Sequence, residues 1–191
     1  SLGNLLILSV LLENQKNLSE TINEIGTLLN INGKVVPVST TPSNIFAKLT
    51  NGQILINESS IDTRKSGLES TIEEIWIDPQ INANSDALLA IDQADTIIIG
   101  PGDLYTSIIP NFLVKGISES ISNSKSKIIY VANISNKTEE TANYQLSDFL
   151  KIIIKYIGNS KVLDAIIVNQ PDKDILLPIE YDLETCNQLT K

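Results

Sequence analysis

The sequence predicts an α/β fold: three layers, αβα, around a mainly parallel sheet, with a β-hairpin set to one side. Three observations carry that expectation. Apolar runs at residues 96–100, 127–132 and 162–168 alternate with helix-patterned segments at 114–122 and 146–157. That is the rhythm of right-handed strand–helix–strand crossovers. The runs are continuous, as in strands buried on both faces. Finally, Asn51-Gly52 lies between β-rich stretches at 45–49 and 53–56, the strongest short-range hairpin signal.

The elements follow in order. Leucines at 2, 5, 6, 8, 11 and 12 recur at helical spacing, so the chain opens on a helix. Residues 5–12 are too few to span a bilayer and lack a basic flank, which leaves a buried helix start. Ser19 is the expected N-cap of a helix over 20–29, with Ile22, Ile25, Leu28 and Leu29 on one face. Residues 33–38, Gly-Lys-Val-Val-Pro-Val, read as a short β run ended by proline. Residues 72–77 mix Glu with Ile and Trp in alternation, a strand in which Trp76 packs a lateral sheet. Ser85 or Asp86 caps a helix over 85–94, and Gly158 closes the helix over 146–157. After Pro171 the period fades, so 172–191 reads as a peripheral tail and Cys186 as an incidental thiol.

At 191 residues the chain suits one domain, which at this length buries roughly 70% of its unfolded surface. Fourteen basic against 23 acidic residues give a net charge of −9. No dense Lys/Arg patch is present to release counterions, so neither nucleic acid nor an anionic membrane is an expected partner. Backbone N–H groups can still hold one small anion. With one cysteine and no histidine, an intrachain disulfide, a Cys/His zinc site and histidine general bases are excluded. No carboxylate pair has the spacing of a catalytic dyad, and no metal ligands are assigned. The chain lacks methionine and begins at the head of an apolar run, so it is expected to start inside a longer, cytoplasmic protein.

Open parallel sheets bind ligands beyond the carboxyl ends of their strands. Gly100-Pro101-Gly102-Asp103-Leu104-Tyr105-Thr106-Ser107 follows the most apolar strand. Its glycines and hydroxyls make either a phosphate or carboxylate cradle or an ordinary tight turn. Neither Gly-x-Gly-x-x-Gly nor Gly-Lys-Ser is present. Residues 133–141, with Asn133, Glu139, Glu140 and Thr141, suit a sugar or base edge, or else cap the next helix. Val168-Asn169-Gln170-Pro171 forms a third edge. Asn4 is a cap or a ligand contact, while Glu58, Asp62 and Arg64 read as a solvated charge cluster.

Three segments together resemble the CofD/YvcK family, also called the gluconeogenesis factor family. They are Ser1-Leu2-Gly3-Asn4-Leu5-Leu6, the block from Gly100 to Asn111, and Tyr130-Val131-Ala132-Asn133. The match runs in order from residue 1 to about residue 169, and takes in residues 33–37 and the hairpin leading to Glu58 and Ile61. The resemblance implies a Rossmann-like αβα domain. It also implies a cytoplasmic UDP-sugar-binding regulator linked to gluconeogenic growth and cell shape. The other branch of the family implies a 2-phospho-L-lactate transferase acting on a deazaflavin with a divalent metal. The Ser-Leu-Gly-Asn start and the Gly100–Asn111 block resemble the regulator branch more closely, and no Asp cluster is assigned to a metal. A scaffold with a vestigial pocket is a third class. Carried over residue by residue, the expected contacts of a small anionic nucleotide-linked ligand are Asn4, Gly100, Pro101, Gly102, Tyr105, Thr106, Ser107, Asn111, Asn133, Glu140 and Thr141. No resident metal or other cofactor is expected outside the transferase alternative, and a homodimer is compatible with the resemblance.

Three departures stand out. Asp103 replaces the family's usual Ser, adding negative charge where an anion is expected. Residues 133–141 lack the common Pro-Gly before Glu-Thr. The family's glycine-rich N-terminal nucleotide loop is missing, so residues 1–191 are expected to form a single partial domain.

Overall fold

The computed structural model describes residues 2–14, 17–64, 70–158, 163–169 and 177–189. Its strands form two sheets. β1 (Asn44–Leu49), β2 (Ile54–Ile56) and β3 (Ile72–Asp78) make an antiparallel sheet in the order β2-β1-β3. The expected hairpin turns at Asn51-Gly52, where Gly52 takes φ +85° and its N–H donates to the Leu49 carbonyl at 2.8 Å. In this sheet Phe46 lies opposite Trp76, and the two rings stack with centroids 5.5 Å apart.

β4 (Thr96–Ile99), β5 (Lys127–Val131) and β6 (Ala165–Ile167) form a parallel sheet in the order β4-β5-β6. The three apolar runs therefore do share one sheet, although residue 162 lies outside the described residues. Register aligns Ile98 with Ile129, Ile99 with Tyr130 and Val131 with Ile167. One face thus presents Ile99, Ile128 and Tyr130, all buried, within a single core that also takes in Ala47 and Ile75 of the other sheet. The opposite face is also apolar, but Ile98 is 62% and Ile167 53% exposed.

Several local expectations are corrected. Asn17 caps α2 (Leu18–Leu28) in place of Ser19, because its carboxamide accepts from the Glu20 N–H while Glu20 reaches back to the Asn17 N–H. Asn84 caps α4 (Ser85–Asp92), accepting from the Asp86 N–H at 3.1 Å. Residues 33–38 form no strand: Pro37 lacks a donor, and the carbonyls of Pro37 and Val38 take hydrogen bonds from Asn84. α1 (Leu2–Asn14) is a helix, but not a buried one. It packs on α2 and leaves Leu2, Leu5 and Leu12 at least 65% exposed.

After β4 the chain winds as a π-helical turn (Leu104–Ile108) into α5 (Ile109–Leu113), then α6 (Ile117–Asn123). The helix expected over 114–122 starts late because Lys115 pairs in extended form with Ile81 and Ala83. Gly116, at φ +103°, then turns the chain into α6. α7 (Leu146–Ile157) ends at Gly158 as expected. α8 (Leu183–Leu189) corrects the reading of a peripheral tail: it packs on α7, and Cys186 on it is only 3% exposed. Among the described residues no helix is long and apolar enough to cross a membrane.

Candidate functional site

β4 and β5 run parallel, so the loops that leave their carboxyl ends emerge side by side. Gly100 bends the first loop at φ +79°, where a Cβ would stand 2.8 Å from the Val131 carbonyl oxygen. Only glycine lets this backbone lie so close to β5. Two residues beyond β5, Asn133 clamps the loops together. Its Oδ1 accepts from the Gly102 N–H at 3.1 Å, and its Nδ2 donates to the Gly102 carbonyl at 2.9 Å.

Residues 100–107, expected as an anion cradle, turn donor groups inward that the protein uses itself. Glu140, 1% exposed, receives the Tyr105 N–H at 2.9 Å on Oε2 and the Thr106 hydroxyl at 2.8 Å on Oε1. A carboxylate from the second loop thus occupies the Tyr105 N–H and the Thr106 hydroxyl at the head of the π turn, and charge-assisted bonds of this kind are the strong ones. Burial pushes the Glu140 carboxyl above its ordinary value, against these donors and Lys137. Thr141 closes the second loop on itself, its hydroxyl accepting from the Lys137 N–H at 3.0 Å.

Lys137 sits at the centre. Its Nζ donates to Asp103 Oδ2 at 2.6 Å, Asp62 Oδ1 at 2.8 Å and Glu140 Oε1 at 3.1 Å. Burial opposes the ammonium charge, but the three carboxylates outweigh it and hold its pKa above the usual lysine value. At Asp62, burial is likewise outweighed by the bond from Lys137, and the carboxyl is held low. Arg64 donates to the carbonyls of Glu139 and Ser70, tying the segment after α3 (Glu58–Asp62) to the second loop. Asp62 and Arg64 are therefore not the solvated cluster expected from sequence. Tyr105 and Tyr144 share a hydrogen bond between hydroxyls at 2.9 Å, and burial pushes both phenols up, keeping them neutral.

A cleft of about 790 Å³ opens between these loops and the end of β6. Pro101, Gly102 and Asp103 of the first loop, the segment from Asn133 to Lys137 of the second, and Val131, Ile167, Val168 and Asn169 line it. Gln170 and Pro171 lie outside the described residues. Across the glycine loop, Gly100, Ser107 and Asn111 border a smaller apolar hollow of about 310 Å³ that Pro101 and Gly102 share. Of the residues singled out by sequence, Pro101, Gly102 and Asn133 face the large cleft. Tyr105, Thr106, Glu140 and Thr141 are buried between the loops. Asn4, exposed on α1, lines neither cavity. From sequence, Asp62 and Arg64 read only as a solvated cluster, and Lys137 was missed. The available signal was Asp103 itself: its extra charge needs a cation, and Lys137 is the one basic residue in the facing loop.

The carboxylate oxygens of Asp62, Asp103 and Glu140 lie within 4.8 Å of one another, an all-oxygen donor set of the kind hard divalent cations use. As arranged, the set does not fit such an ion, because the Lys137 ammonium already bonds to all three.

A family model described as 2-phospho-L-lactate transferase CofD matches residues 1–190. A Thermotoga maritima relative is 40% identical over 178 residues, covering 92% of this chain and 54% of its own length. A relative named gluconeogenesis factor from Listeria innocua is 33% identical, covering 98% of this chain and 59% of its own. A crystal structure of a UPF0052-family protein from Bacillus halodurans superposes with a TM-score of 0.89 at 32% identity, covering 99% of this chain and 63% of that one. The chain thus spans between half and two thirds of the length of these relatives.

Proposed function

Since the chain belongs to the CofD family, we propose that its cleft binds a nucleotide-linked sugar such as a UDP-sugar, and that the whole protein acts as a cytoplasmic regulator of the gluconeogenesis factor type, linked to gluconeogenic growth and cell shape. The observation that carries this reading is the make-up of the cleft. Val168, just beyond the end of β6, offers an apolar contact to a nucleobase. Asn136, Asn169 and Ser135 offer amide and hydroxyl groups to a sugar or base edge. The anionic part of the ligand lies toward Pro101 and Gly102, with the Lys137 ammonium at the rim. Asp103 is bonded to that ammonium, which offsets part of its charge toward an anion. Tyr105, Thr106, Glu140 and Thr141 serve by fixing the two loops. The names of the relatives favour this reading over group transfer. At net charge −9 a small ligand fits better than nucleic acid or an anionic membrane.

Calorimetry of the full-length protein with UDP-N-acetylglucosamine tests the proposal. Saturable heat is expected, and Asn133→Ala, which unclamps the loops, abolishes it. No heat at millimolar ligand, together with turnover of a deazaflavin substrate, overturns the reading in favour of the phospholactyl transferase.

A further inference from the structure

We propose that Lys137 is the resident cation of this site, standing among Asp62, Asp103 and Glu140 where a divalent metal would otherwise bind, so that these three carboxylates hold no divalent ion while the ammonium is in place. Three segments distant in sequence deliver the carboxylates: the end of α3, the loop after β4 and the loop after β5. Their oxygens gather within 4.8 Å of one another, a density of negative charge that requires a countercharge. An ammonium has three N–H donors, and each of them has a carboxylate acceptor here, at 2.6, 2.8 and 3.1 Å. Calcium or magnesium needs oxygens at about 2.0–2.6 Å on several sides. An ion could reach that centre only by expelling the ammonium, whose charge it would otherwise meet at close range. Asp103 and Lys137 also make chemical sense as a pair. The carboxylate that departs from the family pattern is balanced by a lysine of the facing loop, and that loop departs from the pattern too.

Mn²⁺ alone serves as the probe, so the outcome is independent of the nucleotide-sugar reading. The wild-type chain is expected to leave the spectrum of free Mn²⁺ unchanged on titration. Lys137→Met removes the ammonium without adding a carboxylate, and is expected to bind one Mn²⁺ at least about tenfold more tightly than wild type. Adding Asp103→Ser to that variant removes the gain. Melting follows suit: Mn²⁺ raises the midpoint of Lys137→Met and not of wild type. A folded Lys137→Met variant that gains no Mn²⁺ overturns the proposal. So does a wild-type chain that binds one Mn²⁺ and loses it on Asp103→Ser, a result that stands even if Lys137→Met does not fold.

Discussion

Lys137 shows how much one side chain can organise. Its ammonium joins carboxylates from three segments, and its own backbone N–H closes the turn onto Thr141. Burial opposes its charge, yet the carboxylates prevail and its folded pKa lies above the ordinary value. A raised lysine pKa gives stability that is complete below the unfolded value, about 10.4, and is lost as pH rises through the folded value. The alkaline limb of the stability curve therefore contains a contribution from Lys137. Urea midpoints measured between pH 9 and 12 (about one and a half units either side of that value) should fall steeply for wild type. Lys137→Met, already less stable at neutral pH, should show a flatter fall; equal slopes would refute the assignment. None of this was legible from residue 137 by itself. A lone lysine in a polar loop has no periodicity, and two of its three partners lie 34 and 75 positions away.

Elements explain why the two loops can meet at all. The parallel pairing of β4 and β5 was written in the sequence as two continuous apolar runs, and it fixes which ends of the strands lie together. The first loop was legible as Gly100-Pro101-Gly102 with following hydroxyls. What takes its donors was not, since Glu140 comes from the next crossover and only the register brings it near. Helix starts were misplaced by a residue or two, because Asn17 and Asn84 each compete with nearby Ser and Asp as caps. Within the glycine loop the two glycines differ physically. Gly100 combines φ +79° with an approach of 2.8 Å to a strand carbonyl, whereas a Cβ on Gly102 would meet Ser107 Cβ at an ordinary 3.4 Å. Gly100→Ala is expected to cost about 1–3 kcal/mol, the penalty of a strained left-handed residue, and more if the strand cannot give. Gly102→Ala should stay within about 0.5 kcal/mol, as for substitutions away from special features. Thermal melts of the pair decide it, and comparable losses would show that the loop is not pressed on β5 as described.

At the scale of the whole molecule, one core joins both sheets, yet one face of the parallel sheet is left open. Strands buried on both sides read as unbroken apolar runs, and 96–99 and 127–131 read that way. Here the register puts Ile98, Ile129, Val131 and Ile167 on a single face, with Ile98 and Ile167 more than half exposed. The sequence thus carried information about a covered face that the described residues of this chain do not cover. The leucines of α1 add exposed apolar surface of their own. A soluble monomer rarely tolerates a contiguous patch beyond a few hundred Å², and a net charge of −9 opposes association only through long-range repulsion that salt screens. The 191-residue chain by itself is therefore expected to enhance the fluorescence of a dye such as anilinonaphthalene sulfonate. Its mass by light scattering should rise with concentration, and more so at high salt. Ile98→Lys with Ile167→Glu replaces apolar groups at solvent-facing positions, so it should lower both signals while leaving the far-ultraviolet circular dichroism unchanged. A wild-type chain that stays monomeric and dye-silent at every concentration would mean that this face is covered in solution, and the exposure assigned to Ile98 and Ile167 would have to be given up.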